Sequence, residues 1–204
     1  MKFLKTLFLL GLCTVQSLAE PIPPHNRHVS VRDEASPVQL AKRANPTISP
    51  NVGIGEVMRE KVGETLYTNG LLTCIAVVVI GEKNIDKASW DKIMAHIASN
   101  LCQDGEIPGL DDQLNDLFEM DTDTKYLVNR KAFVITAPDA GNAALAAFNQ
   151  YVLGKAQNHW GSAHVQRVIR DQTNVNEPGG SRLWTDGDRN TYWGKDGTLI
   201  VPAI

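Results

Sequence analysis

The chain has 204 residues, a formal net charge of −3, and 43% hydrophobic, 21% charged and 6% aromatic residues. This balance belongs to a folded globular protein. It excludes collagen, a long coiled coil, a disordered acidic tail and a nucleic-acid binder acting through bulk positive charge. Three cysteines are too few for a disulfide-dense miniprotein or a four-cysteine zinc module.

Residues 1–19 read as a secretory signal peptide. Lys2 and Lys5 form a basic start, residues 7–15 are an apolar run, and Ser17 and Ala19 put small residues before a cut ahead of Glu20. The run is far shorter than the roughly 20 residues that span a bilayer, so no membrane anchor is expected. Residues 20–43 read as a propeptide, interrupted by Pro21, Pro23, Pro24 and Pro37 and without an apolar period. Such a stretch cannot bury enough surface to offset the entropy of ordering it. It closes on Lys42-Arg43, a dibasic pair that resembles the cleavage sites of kexin-type proteases in the fungal secretory route. The expected mature domain, secreted and extracellular, is 44–204. The leader holds six of the 20 basic and three of the 23 acidic residues, which leaves 14 against 20 and a net charge of −6. That charge argues against nucleic acid or an anionic membrane as a partner.

Within the mature domain, residues 56–66 suggest a short helix weakened by Gly63. Residues 71–80 (LLTCIAVVVI) form a continuous apolar run between Asn69-Gly70 and Gly81, which predicts a central strand covered on both faces. Residues 86–101 fit a helix, because Ile93, Met94, Ile97 and Leu101 follow Trp90 at the helical period and Asp86 suits the cap. Residues 111–120 suggest an acidic helix, 131–136 a strand stopped by Pro138, and 139–159 an Ala-rich helix with Leu145, Phe148, Val152 and Leu153 inward. Residues 163–170 alternate in part as a strand does. After the loop at 176–180, residues 181–184, 190–193 and 198–201 read as short strands joined by Asp/Gly turns. The order predicts an α+β fold: one compact domain with a central mixed sheet, helices packed on it and a C-terminal β-hairpin region.

In the expected mature domain, chemistry has a short inventory: His96, His159, His164, Cys74 and Cys102. Their spacing matches no zinc pattern. Residues 186–190 (DGDRN) begin like an EF-hand loop, but the sixth position is Thr191 and the twelfth is Gly197, so a hairpin turn is expected there. No nucleophile elbow, phosphate loop or dinucleotide fingerprint is present, and neither a metal nor a cofactor is expected. His159 suits a helix C-terminus, His164 a surface, and His96 falls on the solvent side of the 86–101 helix.

Cys74 has three open readings. It can pair with Cys102 and close a loop worth about 3 kcal/mol. It can remain a buried thiol. It can also be a nucleophile at a strand end, beside backbone N–H groups able to hold an oxyanion and with His96 as the nearest base in sequence.

The segment Thr68-Asn69-Gly70-Leu71-Leu72-Thr73-Cys74-Ile75-Ala76-Val77-Val78-Val79-Ile80-Gly81, followed by Met94-Ala95-His96, resembles a group of secreted fungal proteins with a Cys-centred apolar strand and an aliphatic-x-His strand. The later strand 132–136 and the helix carrying Tyr151 are similar in order. The pattern is similar to the Cys/His core of the glutamine deamidases of the cytotoxic necrotizing factor and chemotaxis CheD type, over residues 65–140. The resemblance implies an α/β sandwich, with Cys74 as nucleophile, His96 as base, and amide hydrolysis of a protein glutamine. Two functions follow as expectations. One is an effector- or toxin-like Cys/His amide-processing enzyme acting on a protein target of a host or competitor. The other is a non-catalytic secreted effector or binding protein held by a Cys74–Cys102 disulfide, working through Trp184, Tyr192 and Trp193.

Overall fold

The computed structural model describes residues 51–83, 90–98, 108–123 and 127–204. The signal peptide at 1–19, the propeptide at 20–43 and Cys102 lie outside the described residues.

The described chain forms β1 (Val57–Lys61), β2 (Leu66–Thr68), β3 (Ile75–Lys83), β4 (Trp90–Ile97), α1 (Leu110–Asp123), β5 (Leu127–Thr136), α2 (Ala143–Trp160), a 3-10 turn (Ser162–His164), β6 (Val165–Ile169), β7 (Leu183–Thr185), β8 (Thr191–Trp193) and β9 (Thr198–Val201). These build a five-stranded sheet in the order β1-β4-β3-β5-β6 and a four-stranded sheet in the order β2-β7-β8-β9. All neighbours are antiparallel except β5 and β6, which are parallel and joined through α2. The fold is α+β, in one domain, as composition and element order predict.

Three layers result. On one face of the large sheet, Ile75, Val77, Val79, Ile93, Ala95, Ile97, Ala132 and Val134 pack beneath Leu114 and Leu117 of α1 and Leu145, Phe148, Val152 and Ala156 of α2. On the other face, Ala76, Val78, Ile80, Met94, Phe133 and Ile135 meet Leu66, Leu183, Trp193 and Val201 of the small sheet. β3 therefore has both faces covered, which accounts for its unbroken apolar run. The small sheet has one wet face and alternates accordingly: Leu66 and Thr68 are buried while Tyr67 is half-buried, and β7 and β8 repeat the pattern.

α2 starts where Asn142 accepts a hydrogen bond from the Leu145 amide (3.0 Å) and stops at Gly161, whose φ of 84° suits glycine. The hairpin turn expected at 186–190 joins β7 to β8. Asp186 Oδ1 accepts from the amides of Asp188 and Asn190, both at 2.9 Å.

Two helices expected from periodicity are strands. Residues 56–66 carry β1, β2 and a turn in which Gly63 has φ 86°. Of 86–101, the described part is β4. Its side chains alternate between the helix layer (Ile93, Ala95, Ile97) and the small-sheet layer (Met94, Ala98). A strand buried on both sides has no polar face, so its apolar residues can match a helical stripe by coincidence.

Candidate functional site

The antiparallel register of β3 and β4 sets Ala76 opposite His96 and Ile75 opposite Ile97. Cys74 directly precedes β3. Continuing the register by one step would set it opposite Ala98, its neighbour in the same buried cluster, and diagonal to His96. Such diagonal neighbours lie about 7–8 Å apart at Cα, within reach of an imidazole. The 22-residue separation of Cys74 and His96 is thus the return path of two long strands.

His96 is fully buried, contrary to its expected place on a helix surface. Its Nδ1 lies 2.7 Å from Thr68 Oγ1, and Thr68 Oγ1 in turn donates to the Val52 carbonyl at 2.7 Å. The hydroxyl proton is spent on Val52, so Nδ1 carries the ring proton and donates to Thr68. Nε2 is the bare nitrogen, and it has no hydrogen-bond partner among the described residues. Burial, with the positive charge of Arg170, lowers the imidazole pKa to about 4, so the ring is neutral at physiological pH.

Arg170 follows β6 and is 1% exposed. Nη2 donates to the carbonyls of Leu71 (2.7 Å), Leu72 (2.9 Å) and Cys74 (2.9 Å), and Nη1 to that of Ile135 (3.1 Å). The guanidinium stacks 5.1 Å from the Trp193 ring centroid. Burial lowers its pKa to about 10, partly offset by Cys74. Cys74 itself is 3% exposed. Neither Cys74 nor His96 lines the clefts of about 530, 660, 100 and 350 Å³ on the described surface. The pair lies beneath the small sheet, closed to solvent.

Thr68 and Arg170 are absent from the sequence reading. Thr68 sits in the quoted motif, but a threonine in a strand carries no sign of what it faces. Arg170 meets Cys74 across 96 residues of chain. Only the β5-α2-β6 crossover brings it there.

The other candidates separate. His159, in the last turn of α2, bonds through Nε2 to buried Asp121 at 3.1 Å and stacks on Phe118. His164 is exposed. Trp193, one of the three aromatic candidates for a binding surface, is instead packed in the terminal hairpin and buried at 4%. Trp184 and Tyr192 stack on the outer face of the small sheet, with centroids 5.4 Å apart. Among the described residues no group of His, Cys, Asp and Glu is disposed to hold a metal ion, and no helix is long and apolar enough to cross a membrane. No protein-family model matches the chain, and no curated protein matches it.

Proposed function

We propose that the protein is a secreted, effector- or toxin-like enzyme that hydrolyses the side-chain amide of glutamine in a protein target, with Cys74 as nucleophile and His96 as base. The observation that carries the reading is the imidazole: a neutral ring, pinned at Nδ1 by Thr68, with a bare Nε2 on the sheet face that holds Cys74. As Cys74 Sγ bonds to the carboxamide carbon its thiol proton passes to His96 Nε2, and the C–N bond then breaks as that proton moves to the nitrogen and ammonia leaves. Water, giving a proton to Nε2, then cleaves the thioester to glutamate and restores the thiol. The low His96 pKa belongs to the closed form. Hydration on opening returns it toward 6.5, nearer the range useful for proton transfer. Export rests on Lys2, Lys5, the apolar run and Lys42-Arg43.

The burial of both residues favours a second reading, in which the same layer is core and the protein is a non-catalytic effector or binding protein. Alkylating the intact secreted chain without reductant, mapping the labelled peptides and measuring ammonia release from glutamine-bearing protein separates the two. The enzyme reading expects label on Cys74 and ammonia release that Cys74→Ser abolishes. A Cys74 that reacts only after reduction, or full activity in Cys74→Ser, overturns it.

A further inference from the structure

Arg170 is a buried cation whose hydrogen-bond partners among the described residues are all neutral. Its four hydrogen-bond acceptors are backbone carbonyls, which satisfy N–H groups but supply no net charge. Trp193 offers one ring face. Among the described residues no carboxylate bonds to the guanidinium. Asp171, next in sequence, is exposed and spends Oδ1 on the Thr173 amide and hydroxyl at 2.9 and 2.6 Å. A charged group taken out of water without a counter-charge carries a heavy desolvation penalty. Arg170 therefore calls for an anion in its own layer.

The group that can supply one is Cys74, whose carbonyl oxygen lies 2.9 Å from Nη2. We propose that Arg170 is the counter-charge of Cys74 and holds its side chain as a thiolate at neutral pH. Thiolates are favoured beside cations, and a guanidinium pinned by four carbonyls cannot swing away to water. The described groups of the same layer leave that role to Cys74. His96, from β4, is neutral and so unable to compete as the cation. Leu183 and Trp193, in the same cluster as Cys74, and Thr68, bonded to His96, do not ionise in this range. Lys92 sits beside Ile80, at the far end of β3, and is paired with Asp91 at 2.6 Å. Two buried polar groups of the layer also have no hydrogen-bond partner among the described residues: the Arg170 Nε–H, a donor, and the His96 Nε2 lone pair.

This ionisation state does not depend on the amide chemistry proposed above. It changes the role open to His96, because a preformed thiolate needs no base to make it: the leaving nitrogen then takes its proton from solvent, and Nε2 is left to accept the proton of the water that cleaves the thioester.

The test is the pH dependence of ultraviolet thiolate absorbance in the secreted chain, taken as the difference from Cys74→Ser so that other thiols and tyrosines cancel. A thiol with the ordinary pKa of about 8.5 is about 3% ionised at pH 7. More than half ionisation is expected for Cys74, roughly a fifteenfold excess. Arg170→Gln should return the midpoint to about 8.5 or higher, and Arg170→Lys should keep it low. A wild-type midpoint at or above about 8.5 overturns the proposal, as does an unchanged midpoint in Arg170→Gln or a Cys74 signal that emerges only after a disulfide is reduced. If Arg170→Gln does not fold, the wild-type and Arg170→Lys titrations decide. A thiolate without ammonia release retains this inference and removes the enzyme reading. Ammonia release with an ordinary thiol does the reverse.

Discussion

An imidazole in the unfolded chain takes a proton near pH 6.5, whereas His96 in the fold takes one only near pH 4. Between those values the unfolded state binds the extra proton. Stability is therefore fully present above about 6.5 and falls as the pH drops toward 4, by up to roughly 3 kcal/mol. Urea midpoints measured from pH 7 to pH 4 should show this loss in the wild type and a flatter limb in His96→Gln. Equal slopes in the two proteins would show that His96 is not the group responsible. Thr68 acts through the same ring. Thr68→Val removes the hydroxyl that accepts from Nδ1–H and donates to Val52, breaking a buried hydrogen-bonded chain, and should cost about 1–3 kcal/mol in denaturant unfolding. Thr68→Ser keeps the hydroxyl and should recover most of that loss. A Thr68→Val protein as stable as the wild type would mean that the ring is not held by this bond.

At the scale of elements, Asp121 shows how the helix layer is tied to the sheet. This carboxylate near the end of α1 is buried and accepts from Arg130 Nη1 of β5 (3.2 Å) and from His159 Nε2 (3.1 Å) and Trp160 Nε1 (2.9 Å) of α2. Asp121→Ala leaves the Trp160 N–H buried without a partner and should destabilise the fold by about 3 kcal/mol, read as a lowered denaturation midpoint. Asp121→Asn keeps an oxygen acceptor and should cost less. An Asp121→Ala cost within about 0.5 kcal/mol, the usual range for a surface substitution, would assign the cluster to the surface. The elements that sequence patterns located were α1, α2, β5, β6 and the three C-terminal strands of the small sheet, whereas β1 and β2 were read as a helix. β3 was legible as a doubly covered strand, although it begins at Ile75 and not Leu71. β4 was not legible. Its helical-looking stripe concealed a strand and moved His96 from the core to an imagined surface. The Cys74–His96 pairing was reached through resemblance, and Thr68 and Arg170 enter only with the three-dimensional register, since nothing local marks a residue whose partner lies across the sheet.

For the whole molecule, the decisive arrangement is that two cores share one sheet. The helix-side core and the small-sheet core lie on opposite faces of β3, β4 and β5, and Cys74, His96 and Arg170 belong to the second. Cys74 is 3% exposed, so a reagent reaches it only through an opening of the fold. The small sheet has short strands of three or four residues, whereas β3 and β5 span nine and ten. Short strands carry few ladder bonds and little buried surface, so they belong to the part of a fold that opens at lower free energy. Leu183, fully buried in β7, anchors that sheet on the shared core. Leu183→Ala should cost about 2–5 kcal/mol in local packing. If lifting of the small sheet governs access, the variant should speed alkylation of Cys74 in native buffer at least tenfold. The same labelling followed against low concentrations of urea separates the routes. A shallow dependence, well below the slope of global unfolding, is expected for lifting of one sheet. A dependence equal to the global slope would mean that Cys74 is exposed only when both cores are lost, which would leave no folded state in which it could act on a substrate.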